Sequence, residues 1–309
     1  MFERQWNPAT LGAMPSQSPW RVSLHGGHSG EFCEHAAADL RDVLEAAVSA
    51  GYHTFGVSEH APRSEERFLY GTERERGFDV PRLRADFEAY AAAIRRLADE
   101  FADRLIVLRG FEAEVVPAAG YRADMLALRA RFNFDYMVGS VHYVDEVSID
   151  GLKEDFETIL ASAGGLERLA VRYYEEVAAM VEALKPEVVG HLDLIRRNAP
   201  PDAKLDTPAI RTAAGRALEA IREHGCILDL NTAGYRKGLG SPYPAPWLVQ
   251  WANEMGIGFC FGDDSHGPRQ VGEGIDEARG YLLRHGVTTV TVLTREDSVV
   301  IRKAVPLKD

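Results

Sequence analysis

Cysteine is scarce in this 309-residue chain: Cys33, Cys226 and Cys260 are too few, and odd in number, for a disulfide framework. Long apolar runs are missing too, and none approaches the ~20 residues that a membrane span needs. Positive charge is in deficit. With 35 Lys and Arg against 47 Asp and Glu, the formal net charge is −12, which argues against a nucleic-acid grip built on phosphate contacts. Residues Met1 to Trp20 hold no signal-peptide apolar segment; their polar, Pro- and Ser-containing character predicts a flexible leader over 1–20, with residues 21–309 as one domain. What is present is ordinary for a folded chain, 46% hydrophobic and 27% charged residues. A cytoplasmic globule is the expectation, with monomer and homo-oligomer both open.

Short apolar runs alternate with longer amphipathic segments. The runs Val22–Leu24, Thr54–Val57, Leu105–Leu108, Tyr136–Val138, Val188–Val189, Cys226–Leu230 and Ile257–Phe261 read as strands, and Thr289–Leu293 is a candidate eighth. Helical spacing marks 37–50, 83–101, 166–184, 207–224, 246–255 and 275–285. Gly51, Gly225, Gly256 and Gly286 each stand where a helix should stop and a strand begin. This alternation predicts βαβ units and a parallel sheet, and seven or eight such units fit a (β/α) barrel, which typically takes ~250 residues. The irregular stretch from Pro62 to Pro81 is a lid candidate.

The placement of histidine carries the most information. Seven of the ten, His25, His28, His35, His60, His142, His191 and His266, fall at or just past expected strand ends. Glu59, Glu112, Glu114, Asp193, Asp263 and Asp264 fall at similar places. In a parallel barrel those ends open onto one face, so the set should converge in space. Imidazole and carboxylate without thiolate suit borderline divalent ions such as Zn, Mn, Fe or Ni. By contrast His224 and His285 sit in final helical turns, where a cation complements the dipole. Glu59 and His60 are adjacent and point oppositely on an extended chain, so Glu59 is expected to support rather than ligate. Cys33, between His28 and His35, reads equally as a packed small residue.

The order of motifs then becomes informative. Leu24-His-Gly-Gly-His-Ser-Gly-Glu-Phe-Cys-Glu-His35, Gly56-Val-Ser-Glu-His-Ala-Pro62, Gly110-Phe-Glu-Ala-Glu114, Gly139-Ser-Val-His-Tyr143, Gly190-His-Leu-Asp193 and Gly262-Asp-Asp-Ser-His266 resemble the polymerase-and-histidinol-phosphatase (PHP) superfamily. Asn231 to Lys237, followed by Tyr243-Pro-Ala-Pro246, is similar to its histidinol-phosphate phosphatase branch. The resemblance implies a distorted (β/α)7 TIM-like barrel with a trinuclear site of two or three divalent ions (Zn, Mn or Fe) at the C-terminal ends of the strands. It implies one ion on His28, Glu112 and Asp264 with His25, a second on His35, His60 and His266, and a third on Glu112, His142 and His191. Glu112, Asp264 and His266 are the expected catalytic residues. The family usually shows His-x-His at its first motif; here Gly26 and Gly27 separate His25 from His28, and a glycine bulge would restore their convergence.

The chain shows neither a Cys-x5-Arg loop nor an Asp-x-Asp start, so direct attack by a metal-bridging hydroxide is expected over a covalent phosphoenzyme. Arg236, Arg196, Lys237 and Arg63 are the cations expected to bind a phosphomonoester. Glu114, Glu65, Glu66 or Tyr70 would meet the amino-imidazole end. The resemblance implies hydrolysis of L-histidinol phosphate in histidine biosynthesis; the alternative keeps the site and changes the ester to a nucleotide or sugar phosphate. A non-catalytic metal-binding barrel and an amide hydrolase are further readings.

Overall fold

The computed structural model describes residues 18–308; of the leader expected over 1–20, residues 1–17 lie outside it. The seven expected runs become the seven strands of a closed, all-parallel barrel. In chain order the first four are β1 (Val22–Ser23), β2 (Thr54–His60), β3 (Ile106–Ala113) and β4 (Val138–Gly139). A small antiparallel hairpin, β5 (Tyr143–Val144) with β6 (Val147–Ser148), rises from the end of β4. The barrel resumes with β7 (Val188–Val189), β8 (Ile227–Asn231) and β9 (Phe259–Gly262). It closes where Ser23 of β1 pairs with Phe261 of β9.

The eighth candidate run does not enter the barrel. It forms β10 (Thr289–Glu296), which pairs antiparallel with β11 (Val299–Pro306) alone. The barrel needs no further partner once β9 meets β1, and Thr294 Oγ1 instead lies 2.9 Å from Thr54 Oγ1 at the start of β2. The hairpin thus packs beside the end of the barrel where strands begin, leaving the opposite end free.

The helices follow from local chemistry. The helix Val80–Glu100 starts where the Asp79 side chain accepts from Arg82 N at 2.8 Å, and it buries Leu83, Phe87, Tyr90, Ile94 and Leu97 on one face. The helix Pro208–Glu223 begins with Thr207 accepting from Ile210 N and with Pro208 in its first turn. The glycines after four of the helices all take left-handed backbone, φ 65° to 81°. Besides the short turns Gly71–Glu75 and Ala233–Arg236, two helices have no counterpart among the expected segments, Tyr121–Phe132 and Lys153–Ala163. The first buries only Met125, so it lacks the apolar stripe that periodicity detects.

The lid candidate holds a short 3-10 turn at Glu66–Phe68 and a helical turn at Gly71–Glu75, with Phe68 and Leu69 buried. The Tyr143 hydroxyl donates to Phe68 O at 3.0 Å, fastening this segment to the β5–β6 hairpin.

Candidate metal centre

Two long strands deliver the centre of the site. In β2 and β3 the register sets His60 beside Glu112, so polar residues continue the strands past their apolar portions. Glu112 is 2% exposed and its oxygens face four imidazoles. His25 Nε2, His142 Nε2 and His191 Nε2 stand 3.1, 3.3 and 3.2 Å from Oε1, and His60 Nδ1 stands 2.9 Å from Oε2. His28 stacks between His60 and His266, with ring centroids 4.2 and 4.3 Å away. Asp264, held in left-handed backbone at φ 48°, brings Oδ1 to 3.8 Å from His28 Nε2. His35 lies on the outer side, 4.7 Å from the His266 ring and 5.4 Å from that of His60.

The two glycines of the first motif explain how His25 and His28 reach one carboxylate. Gly26 and Gly27 adopt φ of 131° and 80°, conformations costly for any residue with a Cβ. Ser58 Oγ accepts from Gly26 N and Ser265 Oγ from Gly27 N, which fixes the turn. Possible ligand atoms of His25, His28 and Glu112 then lie within 4.8 Å of one another.

Three of the buried imidazoles are locked from behind by a carboxylate. Asp229 Oδ2 lies 2.7 Å from His25 Nδ1, Glu59 Oε1 lies 2.9 Å from His28 Nδ1, and Glu114 Oε2 lies 2.8 Å from His142 Nδ1. Glu59 thus points away from the metal face as its neighbour relation to His60 required. Glu114, expected to meet the amino-imidazole end of a substrate, spends Oε2 on His142 and Oε1 on Val115 N. Asp229 was not among the expected site residues. Its one signal in sequence is a carboxylate inside an otherwise apolar strand, a pattern that core positions avoid unless paired. Asp193, two residues past His191, turns instead to Arg196 and Ala245 N. Asp263 accepts from the Tyr52 hydroxyl and Gly272 N, so only Asp264 of that pair faces the cluster.

The donor set fits divalent cations. Among the described residues, Nε2 of His25, His28 and His60, Nδ1 of His191 and Oε2 of Glu112 are buried with no partner in hydrogen-bonding alignment, although His60 Nδ1 and His25 Nε2 lie close to the Glu112 carboxylate. Orphaned lone pairs are costly unless a cation meets them. Potential ligand groups among the described residues are His25–His28–Glu112, Glu112–His142–His191, His25–His191–Asp264 and His28–Cys33–His60–His266. The second of these is the set implied for the third ion; in the last, Cys33 stands where His35 was expected. Burial would push the Glu112 carboxyl up, but His25 and His142 outweigh it and hold it well below the ordinary range. Burial and the neighbouring His28 imidazole keep His266 neutral, the form that can ligate.

The four expected phosphate cations lie in different settings. Arg236 Nη2 donates to the carbonyls of Asp263 and Asp264 at 2.6 and 2.9 Å, while its Nη1 stands 3.6 Å from Glu273 Oε2. Arg196 donates to Asp193, Pro242 O and Ser241 Oγ. Arg63 is 4% exposed, ion-paired with Glu73 and set 4.2 Å over the Tyr70 ring. Lys237 is an exposed residue, and the partial desolvation of its ammonium together with the neighbouring Arg197 lowers its pKa. Arg197, half-buried, was not among the expected cations.

A closed seven-stranded parallel barrel with imidazoles gathered around one buried carboxylate at its strand ends defines a class, the barrels that hold divalent ions over their C-terminal face. Within that class the chain belongs to the PHP domain family, whose model matches residues 25–233. It is 33% identical over 278 residues to a protein of Schizosaccharomyces pombe named as a probable histidinol-phosphatase, covering 89% of this chain and 90% of that one. The histidinol-phosphatase of Saccharomyces cerevisiae is 29% identical over 292 residues, covering 84% and 87%. Among solved structures, the histidinol phosphate phosphatase of Lactococcus lactis, crystallised with Zn, L-histidinol and phosphate, shares the fold. Its TM-score is 0.67 at 18% identity, over 91% of this chain and 99% of that one.

The lock on His25 yields a first prediction. Asp229→Asn keeps the volume and removes the charge behind the ligand, so apparent metal affinity should fall about 10- to 100-fold. Competition against a chelator reads this directly, and unchanged affinity would reduce Asp229 to a packing residue.

Proposed function

We propose that the protein hydrolyses L-histidinol phosphate to L-histidinol and phosphate, with two or three divalent ions (zinc, manganese or iron) held by His25, His28, His35, His60, Glu112, His142, His191, Asp264 and His266. The observation that carries this reading is the likeness to named histidinol-phosphatases over nearly nine-tenths of the chain, joined to a site that meets the needs of phosphate-ester chemistry. Bound there, divalent ions supply an acidified water at neutral pH and neutralise charge on the phosphoryl oxygens. Glu112 gathers the ligands on a single carboxylate, and Asp264 and His266 close the face opposite it. Arg236, whose Nη1 also faces the exposed carboxylate of Glu273, and Lys237 supply fixed positive charge for the phosphate dianion. Arg196 and Arg63 work through the frame, holding the loops onto which they are bonded. Residues 21 onward act as one unit in this reading, in the cytoplasm, where the three buried cysteines remain thiols. None of the helices among the described residues is long and apolar enough to cross a membrane.

The test is phosphate release from L-histidinol phosphate by the metal-loaded protein, beside a nucleoside monophosphate, a sugar phosphate and an aryl phosphate. A kcat/KM above ~10⁴ M⁻¹s⁻¹ on L-histidinol phosphate, well above the others, is the expected result. Equal rates on all four esters would overturn the substrate while keeping the chemistry. Arg236→Gln should weaken inhibition by inorganic phosphate about 10-fold, the worth of one charge-assisted hydrogen bond, with metal content intact. Loss of metal instead would make Arg236 a support for the Asp264 loop alone.

A further inference from the structure

Asp150 stands in the segment between β6 and the helix at Lys153–Ala163, and its neighbour Ile149 is pinned from two sides. Ile149 N donates to His142 O at 2.9 Å, and Ile149 O accepts from Asn198 Nδ2 at 2.9 Å. The first tie reaches a residue of the metal face, and the second reaches the loop that carries Arg197. Asp150 is therefore fixed beside the mouth of the site rather than on a free loop. Its side chain is half-buried, and its one hydrogen bond is a long one, 3.4 Å, accepted from Ser148 Oγ. No Lys, Arg or His forms an ion pair with it among the described residues.

Its charge is nonetheless felt across the mouth. Asp150 opposes the lowering of the Lys237 ammonium that burial and Arg197 impose. Several other carboxylates near this rim have partners of their own, Glu273 among them against Arg236. Glu114 holds His142, Glu65 holds Arg67, Glu66 accepts from Val80 N, and Glu34 takes Arg76 and Thr72. Asp150 is a carboxylate that keeps its charge with no cation beside it among the described residues.

The substrate reading above says what such a ligand needs. L-Histidinol phosphate carries its ammonium two carbons from the ester oxygen, so a phosphate seated among Lys237, Arg236 and metal ions draws that ammonium into a cationic, partly desolvated mouth. An imidazole with an ordinary pKa near ~6.5 is mostly neutral at pH 7.5, which leaves the ammonium as the fixed charge to be met. We propose that Asp150 is the specificity residue that receives the α-ammonium of the substrate, an assignment that rests on L-histidinol phosphate being the ester hydrolysed. It would select amino-alkyl phosphates over esters lacking a cation at that distance.

The experiment compares wild type, Asp150→Asn and Asp150→Glu on L-histidinol phosphate and on its deaminated analogue, 3-(imidazol-4-yl)propyl phosphate, with metal content measured for each protein. Asp150→Asn should lose about 10- to 100-fold in kcat/KM on L-histidinol phosphate, chiefly through KM, the range of a hydrogen bond between charged groups. The analogue should be hydrolysed by that variant as by wild type, with metal content unchanged, and Asp150→Glu should recover part of the loss. An equal loss on both esters, or no loss on either, overturns the proposal. Failure of the wild type to hydrolyse L-histidinol phosphate overturns the substrate reading itself, and that result is seen before any variant is compared.

Discussion

Glu112→Gln should remove bound metal and turnover together. The substitution preserves shape, so the fold is kept, but it exchanges the shared anion for a neutral amide. Four imidazole nitrogens stand 2.9 to 3.3 Å from the two carboxylate oxygens. An amide presents one of them with an N–H donor where a ligand atom stood. Breaking a buried charge cluster from one side costs about 3–5 kcal/mol, and at ~1.4 kcal/mol per tenfold this corresponds to two to more than three orders of magnitude in metal affinity or rate. Metal analysis of the purified variant, beside phosphate release, is the measurement. Loss of turnover with full metal content would remove Glu112 from the ligand set and leave it an acid or base. Retention of both would show that neither metal binding nor turnover needs the Glu112 charge. His266→Asn should behave likewise with a smaller loss of metal, because His266 stands at the edge of the cluster with 20% of its side chain exposed.

How much of this centre was legible in the sequence depends on which physical signal each part leaves. The barrel was readable because buried parallel strands are short apolar runs between amphipathic helices, and all seven runs became its strands. The lengths of the strands were less readable. The run Leu105–Leu108 stops at the last apolar residue, yet β3 continues to Ala113, because Glu112 is tolerated in the barrel only among its imidazole partners. Thr289–Leu293 has the composition of a barrel strand but not the place, since composition says nothing about which strand has already closed the sheet. The gathering of histidines at strand ends was visible from position alone. Of their supports only Glu59 was, through its place beside His60; Asp229 meets His25 across 204 positions of sequence, and a contact at such separation leaves no local trace. Glu114 was visible as a residue on the correct face, but its role was not, because whether a carboxylate faces a ligand or a histidine depends on the turn of a single side chain.

The first motif carries the second large effect, and it separates backbone strain from crowding. A methyl group at Gly26 would lie 2.6 Å from Asp263 Oδ1, 2.7 Å from Ser265 N and 2.9 Å from Asp264 N. Two of those atoms are backbone of the loop that carries Asp264 and His266, so relief requires that loop to move. The residue also sits at φ 131°, where a side chain adds strain of about 1–3 kcal/mol, and overpacking adds about the same again. Gly26→Ala should therefore lower Tm by roughly 5–10 °C, at ~2 °C per kcal/mol for a chain of this size, and should weaken metal binding at the same time. Gly77→Ala is the internal comparison: φ is 72°, and nothing lies within 4 Å of the added carbon. It bears backbone strain alone, so it should lose a few degrees and keep full metal content and activity. If the two variants behaved alike, strain would be the whole cost of a side chain at Gly26, and the close approach of the first motif to the Asp264 loop would not be what sets His25 against Glu112. If Gly26→Ala alone lost metal, the spacing of two glycines between His25 and His28 is what lets a first histidine three residues from the second still reach the shared carboxylate.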